Sequence, residues 1–231
     1  MKIGGLQKTS LLDYPGNVSA IIWTVGCNFR CPFCYNKTLV LGTTHSFFSE
    51  DEVFQFLEKR QGMLDGVVIS GGEPLLQDDI NEFIRRIKQL GYQVKIDTNG
   101  SLPEKLLELL KNHLVDYIAM DVKAPRGKYE MLVGGKVDLA KIAQSIELIK
   151  NSEVEYEFRT TVVPDLLQQE DIVEIAQWIQ GAKRYYLQQF RINPPLVSSK
   201  LEKIHPYTKE QLQQMCAAAQ PFVQQCQVRG V

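Results

Sequence analysis

Val18-Ser19-Ala20-Ile21-Ile22-Trp23-Thr24 is rich in β-branched and apolar side chains and runs, through Val25, into Gly26-Cys27-Asn28-Phe29-Arg30-Cys31-Pro32-Phe33-Cys34-Tyr35-Asn36. The first stretch reads as a buried strand. The second reads as a compact loop carrying three thiols at its carboxyl end. The strand pattern then recurs in Val67-Val68-Ile69-Ser70, Gln93-Val94-Lys95-Ile96-Asp97 and Tyr117-Ile118-Ala119-Met120-Asp121. It returns in Tyr156-Glu157-Phe158-Arg159-Thr160-Thr161-Val162-Val163 and in Arg184-Tyr185-Tyr186-Leu187-Gln188-Gln189-Phe190.

Helical stripes fill the gaps. Ile80, Phe83, Ile84, Ile87 and Leu90 lie on one helical face, as do Leu139, Ile142, Ile146 and Ile149, and Ile172, Val173, Ala176 and Ile179. Ser49 with Glu52, and Ser101 with Glu104, have capping-box spacing, and Gly91 stands where a left-handed helix end belongs. Strand and helix thus alternate about six times, which predicts an α/β fold with a parallel sheet and right-handed crossovers. An open doubly wound sheet and an incomplete barrel both satisfy the pattern. In either one, functional groups belong at the carboxyl ends of the strands. No Gly-, Ser- or Pro-rich linker divides the chain and no internal repeat is visible. A single domain over 1–231 is expected, with a core over about 17–195. A helical extension over about 205–231 follows a loop containing Asn193-Pro194-Pro195, and Pro221 kinks or ends its helix.

Composition narrows the class. Of 231 residues, 44% are hydrophobic and 23% charged, with 26 Lys+Arg against 27 Asp+Glu and a net charge of -1. Such values exclude a disordered chain, a collagen-like repeat and a disulfide-dense mini-domain. The balanced charge argues against nucleic-acid or membrane binding through a basic surface. The longest early uncharged stretch, 14–29, is broken by Pro15, Gly16, Asn17 and Gly26 and falls short of the ~20 apolar residues of a membrane span. The first eight residues have no apolar core of signal-peptide kind. A cytoplasmic protein is expected, and there clustered cysteines indicate metal more than disulfide. The five cysteines are an odd number, so they cannot all pair within one chain.

Cys27, Cys31 and Cys34 stand in C-x-x-x-C-x-x-C spacing. Cysteine thiolates hold iron–sulfur clusters. A [4Fe–4S] cube has four irons, and this loop supplies three ligands, leaving one iron open to a small molecule unless distant Cys216 or Cys226 completes the set. Zinc, or three unrelated cysteines, are the alternatives that spacing leaves open.

With an aromatic after the third cysteine, this signature resembles that of the radical S-adenosylmethionine (SAM) enzymes. Ser70-Gly71-Gly72-Glu73-Pro74, at the end of the second strand, resembles the family's GGE segment, which meets the amino group of SAM. Asp97-Thr98-Asn99-Gly100 and Asp121-Val122-Lys123, ending the third and fourth strands, and Arg159 on the fifth are similar to segments lining the SAM site of the glycyl-radical-enzyme activating enzymes. Ser10-Leu11-Leu12-Asp13-Tyr14-Pro15-Gly16 is similar to the start of those activases. The likeness covers nearly the whole chain, best over 10–195, and is closest to activating proteins of anaerobic ribonucleoside-triphosphate reductase.

The resemblance implies a partial (β/α)6 barrel of the TIM type. It implies a [4Fe–4S] cluster on Cys27, Cys31 and Cys34, where reduction cleaves SAM to a 5′-deoxyadenosyl radical, and a SAM site of Tyr35, Gly71, Gly72, Glu73, Asp97, Asp121, Lys123 and Arg159. Asp97 and Asp121 would face ribose, amino group or a bound cation, and Lys123 and Arg159 the SAM carboxylate. Phe33 and Tyr35 are placed to stack on adenine, to shield the cluster, or to pack locally. The implied substrate is a backbone glycine of a partner glycyl radical enzyme, with anaerobic ribonucleotide reductase as the expected partner and a flavodoxin- or ferredoxin-type protein as reductant. Where the pyruvate formate-lyase activase has a late strand-end His, this chain has Gln188-Gln189-Phe190-Arg191, with Gln189 or Arg191 the candidate replacement. Two other functions stand beside this one: a small-molecule radical SAM enzyme of the 7-carboxy-7-deazaguanine synthase kind, and a non-catalytic iron–sulfur or zinc protein. His45, His113 and His205 are isolated, without triad or metal spacing.

Overall fold

The computed structural model describes residues 1–45, 47–192 and 195–231, so the Asn193-Pro194 part of the expected proline loop lies outside the described residues. Its strands form one eight-stranded sheet in chain order. They are β1 (Ile3–Ser10), β2 (Ser19–Thr24), β3 (Gly66–Gly71), β4 (Gln93–Thr98), β5 (Tyr117–Asp121), β6 (Glu155–Val162), β7 (Tyr185–Gln189) and β8 (Cys226–Arg229). β1 runs antiparallel to β2, and every later pairing is parallel. The helices are α1 (Lys37–Leu41), α2 (Glu50–Glu58), α3 (Ile80–Gln89), α4 (Pro103–Lys111), α5 (Tyr129–Val133), α6 (Leu139–Lys150), α7 (Gln169–Trp178) and α8 (Lys209–Ala219).

Strand order decides between the two architectures the periodicity left open. A doubly wound sheet reverses its order at a switch point; here β2 through β8 follow one another without reversal. Right-handed crossovers between successive neighbours put all helices on one face, so the sheet curls into a partial barrel with β1 and β8 as its edges. The helix-facing side holds the main apolar core, including Ile22, Ile69, Ile96, Met120 and Phe158. The expected stripes seal it: Ile80, Phe83, Ile84 and Ile87 from α3, and Ile142, Ile146 and Ile149 from α6 are all buried. Among the described residues a second, small apolar cluster lies on the lumen side, Tyr14, Ile21, Val68 and Tyr117, with Trp23 against it.

All six expected strands are present within a residue or two, and two further strands join them. β1 hides its pattern because Gln7, Lys8 and Thr9 are exposed and two glycines open it, which suits an edge. β8 has only four residues. The C-terminal segment is therefore not helical throughout: α8 ends at Ala219, Pro221 sits in a 3-10 turn over Gln220–Phe222, and β8 follows. Cys216 and Cys226 accordingly lie on α8 and β8, not on one helix, and both are free thiols.

The Ser49 capping box forms as expected, with the Glu52 N–H donating to Ser49 Oγ at 3.1 Å and the Ser49 N–H to Glu52 Oε2 at 2.7 Å. The Ser101 box does not. α4 starts at Pro103, whose fixed φ already suits a first helical position, and Ser101 Oγ instead accepts from Asn28 Nδ2 at 2.8 Å. Gly91 has φ 88 and its N–H donates to Lys88 C=O at 2.9 Å. Among the described residues no helix is long and apolar enough to cross a membrane. Replacing Ser49 with Ala is expected to lower unfolding free energy by about 1 kcal/mol, read by urea denaturation; an unchanged midpoint would mean that the box contributes nothing to this helix start.

Candidate active site

The loop after β2 is pinned from several directions by backbone groups. The Val25 N–H donates to Lys2 C=O and the Gly26 N–H to Leu39 C=O, both at 2.9 Å. From the end of β3, the Gly72 N–H reaches Thr24 C=O at 3.0 Å and the Glu73 N–H reaches Gly26 C=O at 2.8 Å. This approach is so close that a Cβ at Gly72 would lie 1.9 Å from the Gly26 oxygen, and one at Gly71 2.4 Å from the Thr24 nitrogen. The two glycines are thus required by contact between two backbones. On the loop's far side, the Arg30 N–H donates to Val133 C=O at 2.7 Å, the Val197 N–H to Cys34 C=O at 3.0 Å and the Ser198 N–H to Pro32 C=O at 2.9 Å.

The pinned loop carries Cys31 buried and Cys27 and Cys34 half-buried, all as free thiols. Cys27 Sγ accepts from the Phe29 N–H at 3.4 Å and from Asn99 Nδ2 at 3.9 Å. Burial pushes the Cys27 thiol up to about 11 and Cys31 up to about 12, and raises Cys34 as well. The positive charge of Lys123, two residues beyond the end of β5, acts on all three in the opposite sense. Among the described residues no three His, Cys, Asp or Glu side chains converge as a single-ion site. Phe33 is buried in the core cluster, whereas Tyr35 is 52% exposed at the rim.

Glu73 is fully buried and turns inward. Its Oε1 accepts from Thr98 Oγ1 at 2.8 Å and the Leu75 N–H at 3.1 Å, and its Oε2 accepts from the Asn99 N–H at 2.7 Å. The carboxylate therefore ties the end of β3 to the end of β4. Burial raises its pKa to about 7, against those three donors, which pull it down. Asn99 extends the link, donating from Nδ2 to Asn28 Oδ1 at 2.9 Å, while Ser145 on α6 donates to Gly100 C=O at 2.7 Å.

Beside the loop, the ends of β4, β5 and β6 share one ionic network. Arg159 donates from Nε to Asp121 Oδ1 at 2.9 Å and from Nη1 to Asp97 Oδ2 at 3.3 Å. Lys123 Nζ donates to Asp121 Oδ2 at 3.0 Å, Ser70 Oγ to Asp97 Oδ2 at 3.2 Å, and Lys95 Nζ to Asp97 Oδ1. Burial alone would raise both aspartates, but Arg159, with Lys95 at Asp97 and Lys123 at Asp121, holds each below the usual carboxylate range. Asp121 in turn raises Lys123 and Arg159, so both stay cationic.

The structure thus brings Asp97, Asp121, Lys123 and Arg159 into one network and sets Gly71, Gly72 and Glu73 against the cysteine loop. Tyr35 stands near enough to Arg159 and Asp121 for their charges to act on its hydroxyl. Gln189 Nε2 donates to Tyr207 C=O at 2.6 Å, whereas Arg191 is exposed. Asn28 and Lys95 join the site without belonging to the residues the resemblance implies, and Asn99 enters it from within the 97–100 segment. Lys95 had a readable signal, since it lies two residues before Asp97 on the same strand face. The asparagines had none beyond their motif neighbours.

The profile of the Radical SAM superfamily matches residues 21–179. A Methanocaldococcus jannaschii protein named "Putative glycyl-radical enzyme activating enzyme" is 41% identical over 193 residues, covering 81% of this chain and 79% of that one. The pyruvate formate-lyase-activating enzyme of Listeria monocytogenes is 28% identical over 192 residues, covering 78% and 76%. Among solved structures, Streptococcus suis SuiB bound to S-adenosylmethionine superposes with a TM-score of 0.71 at 15% identity, over 91% of this chain and 50% of that one. This chain therefore spans half the length of SuiB, and the likeness is one of fold.

Two tests address this geometry. Gly72→Ala is expected to destabilise by about 1–3 kcal/mol through forced overpacking, with Gly127→Ala, which meets nothing within 4 Å, as the unaffected control in thermal melts. The second concerns acid. Asp97 and Asp121 have folded pKa values below their ordinary 3.8, so their contribution is complete above that value and is lost as pH falls through and below it. Urea unfolding followed from pH 5 to pH 3 should therefore show a shallower acid slope for Asp121→Asn than for the wild type; equal slopes would rule out the ionic network as the source.

Proposed function

We propose, for a chain that belongs to the radical SAM superfamily, the function of an activating enzyme that generates a glycyl radical on a partner enzyme. The observation that carries the reading is the loop of three free thiols, pinned at the carboxyl end of β2 and flanked by the ionic network of β4, β5 and β6. The other two cysteines, both free thiols, lie on α8 and β8, away from that loop in the chain. This donor set fits a [4Fe–4S] cluster with one iron left for SAM. When bound, cluster and SAM supply one-electron cleavage of the sulfonium and a 5′-deoxyadenosyl radical.

The remaining roles belong to the chain. Cys27, Cys31 and Cys34 would hold the cluster as thiolates. Gly71 and Gly72 let the backbone between β3 and the loop close, and bring the segment's carbonyls beside the cysteines to receive the SAM amino group. Glu73 contributes by fixing that segment from within. Arg159 and Lys123 present cationic groups for the SAM carboxylate, with Asp97 and Asp121 aiming them and facing ribose, amino group or a cation. Tyr35 covers the rim. The gap between the β1 and β8 edges gives a partner's glycine loop a way in. The partner we favour is anaerobic ribonucleoside-triphosphate reductase, with a cytoplasmic flavodoxin or ferredoxin as electron donor.

Anaerobic reconstitution with iron and sulfide should load about four irons per chain, and Cys31→Ala should fail to keep them. Reduction with SAM should release 5′-deoxyadenosine, and adding the reductase should produce a glycyl-radical EPR signal. A loaded sample without 5′-deoxyadenosine would overturn the enzymatic reading. SAM cleavage stimulated by a pterin-sized compound, with no radical on any glycyl radical enzyme offered, would replace the activase with a small-molecule enzyme.

A further inference from the structure

The last strand adds one arginine to the lumen. β8 pairs with β7, placing Arg229 opposite Gln188. Arg229 reaches inward over the Tyr186 ring, 3.8 Å from its centroid, and grips Glu157 of β6 with both ends of its guanidinium, Nη1 to Oε1 at 2.7 Å and Nη2 to Oε2 at 3.0 Å. Glu157 is 0% exposed. Its other donor is Tyr117 Oη at 2.9 Å, itself an acceptor from Arg184 Nη1 at 3.0 Å. Two residues further along β6 stands Arg159, whose Nη1 lies 4.0 Å from Glu157 Oε1 while its hydrogen bonds go to Asp121 and Asp97.

Three carboxylates thus surround Arg159, and it bonds to two of them. The third is held by Arg229. A buried carboxylate without a cation is strongly disfavoured, so Glu157 would draw the nearest cation if Arg229 were lost. Lys95 is committed to Asp97. Arg184 is engaged by Tyr117 Oη and Glu155, so Arg159, whose Nη1 already lies 4.0 Å from Glu157 Oε1, is the cation best placed to respond, and moving to Glu157 would take its guanidinium away from the carboxyl ends of β4 and β5.

We propose that Arg229 is a positioning residue for the SAM site: by satisfying Glu157 it leaves Arg159 to Asp97 and Asp121 and so sets the direction in which that guanidinium is presented. The proposal rests on the reading of Arg159 as a contact of the SAM carboxylate, and its test separates the two. Crystal structures of Arg229→Gln and of Glu157→Gln/Arg229→Gln give the first readout. In the single variant Arg159 should sit on Glu157 with its Asp121 contact broken; in the double variant, where no charge pulls it, Arg159 should return to Asp97 and Asp121. SAM binding to the cluster-loaded protein gives the second. Arg229→Gln should weaken it about tenfold, the scale on which outer partners of a bound group act, and the double variant should recover most of that loss.

If Arg159 stays on the aspartates in Arg229→Gln, the proposal fails. It fails too if the double variant binds as poorly as the single one, since β8 would then be acting only as a structural brace. Should Arg159 move while SAM affinity stays constant, the positioning relation stands and the assignment of Arg159 to SAM falls. Should Arg229→Gln not fold, the double variant decides alone: Arg159 on the aspartates with near-wild-type SAM binding supports the proposal, and any other placement overturns it.

Discussion

The close approach of two backbones, where the exit of β3 meets the exit of β2, is the constraint on which the site depends. The Gly72 and Glu73 N–H groups reach the Thr24 and Gly26 carbonyls, and the missing Cβ atoms of Gly71 and Gly72 allow it. This junction fixes the first part of the cysteine loop against a rigid parallel sheet. It also puts Glu73 where its carboxylate can hold Thr98 and Asn99, so that three successive strand ends are tied together. A loop this well held needs little reorganisation to receive a bound group, which is the physical content of preorganisation.

Next to that rigid junction lies a set of buried charges. Placing Lys95, Asp97, Asp121, Lys123, Glu157 and Arg159 in one lumen is unfavourable unless each finds a counter-charge and good hydrogen bonds. Each is bonded to an opposite charge: Lys95 to Asp97, Asp121 to Lys123 and Arg159, Arg159 also to Asp97, and Glu157 to Arg229 of β8. Replacing buried charges of this kind by apolar side chains of similar volume is often neutral or stabilising. What the charges add is fixed direction, since each is held by the next through a hydrogen bond or ion pair.

Much of this was legible in the sequence because parallel strands buried on the helix side read as near-continuous apolar runs, and helices returning to one face keep a clear stripe. The cysteine triad and the Gly-Gly-Glu-Pro segment were legible because their spacing is unusual. What stayed hidden has specific causes. β1 is a half-exposed edge, and β8 is too short to show a period. The inward turn of Glu73 depends on Thr98 and Asn99, which belong to another strand. Ser101 looked like a helix cap because spacing says nothing of Asn28, which takes its hydroxyl. Glu157 sits two residues before Arg159 on the same strand face, but its partner Arg229 lies at the far end of the chain, where no local pattern points back to it.

Strand order has a temporal side. Because β2 to β7 pair in the order of the chain, each strand can dock on its predecessor as soon as it is made. The clasps on the cysteine loop arrive on a different schedule. Those from β3 form early, the one at Val133 only after β5, and those from Val197 and Ser198 after β7. During synthesis the three thiols therefore emerge on a loop that is anchored on one side and open on the other, and the loop closes only once most of the barrel stands.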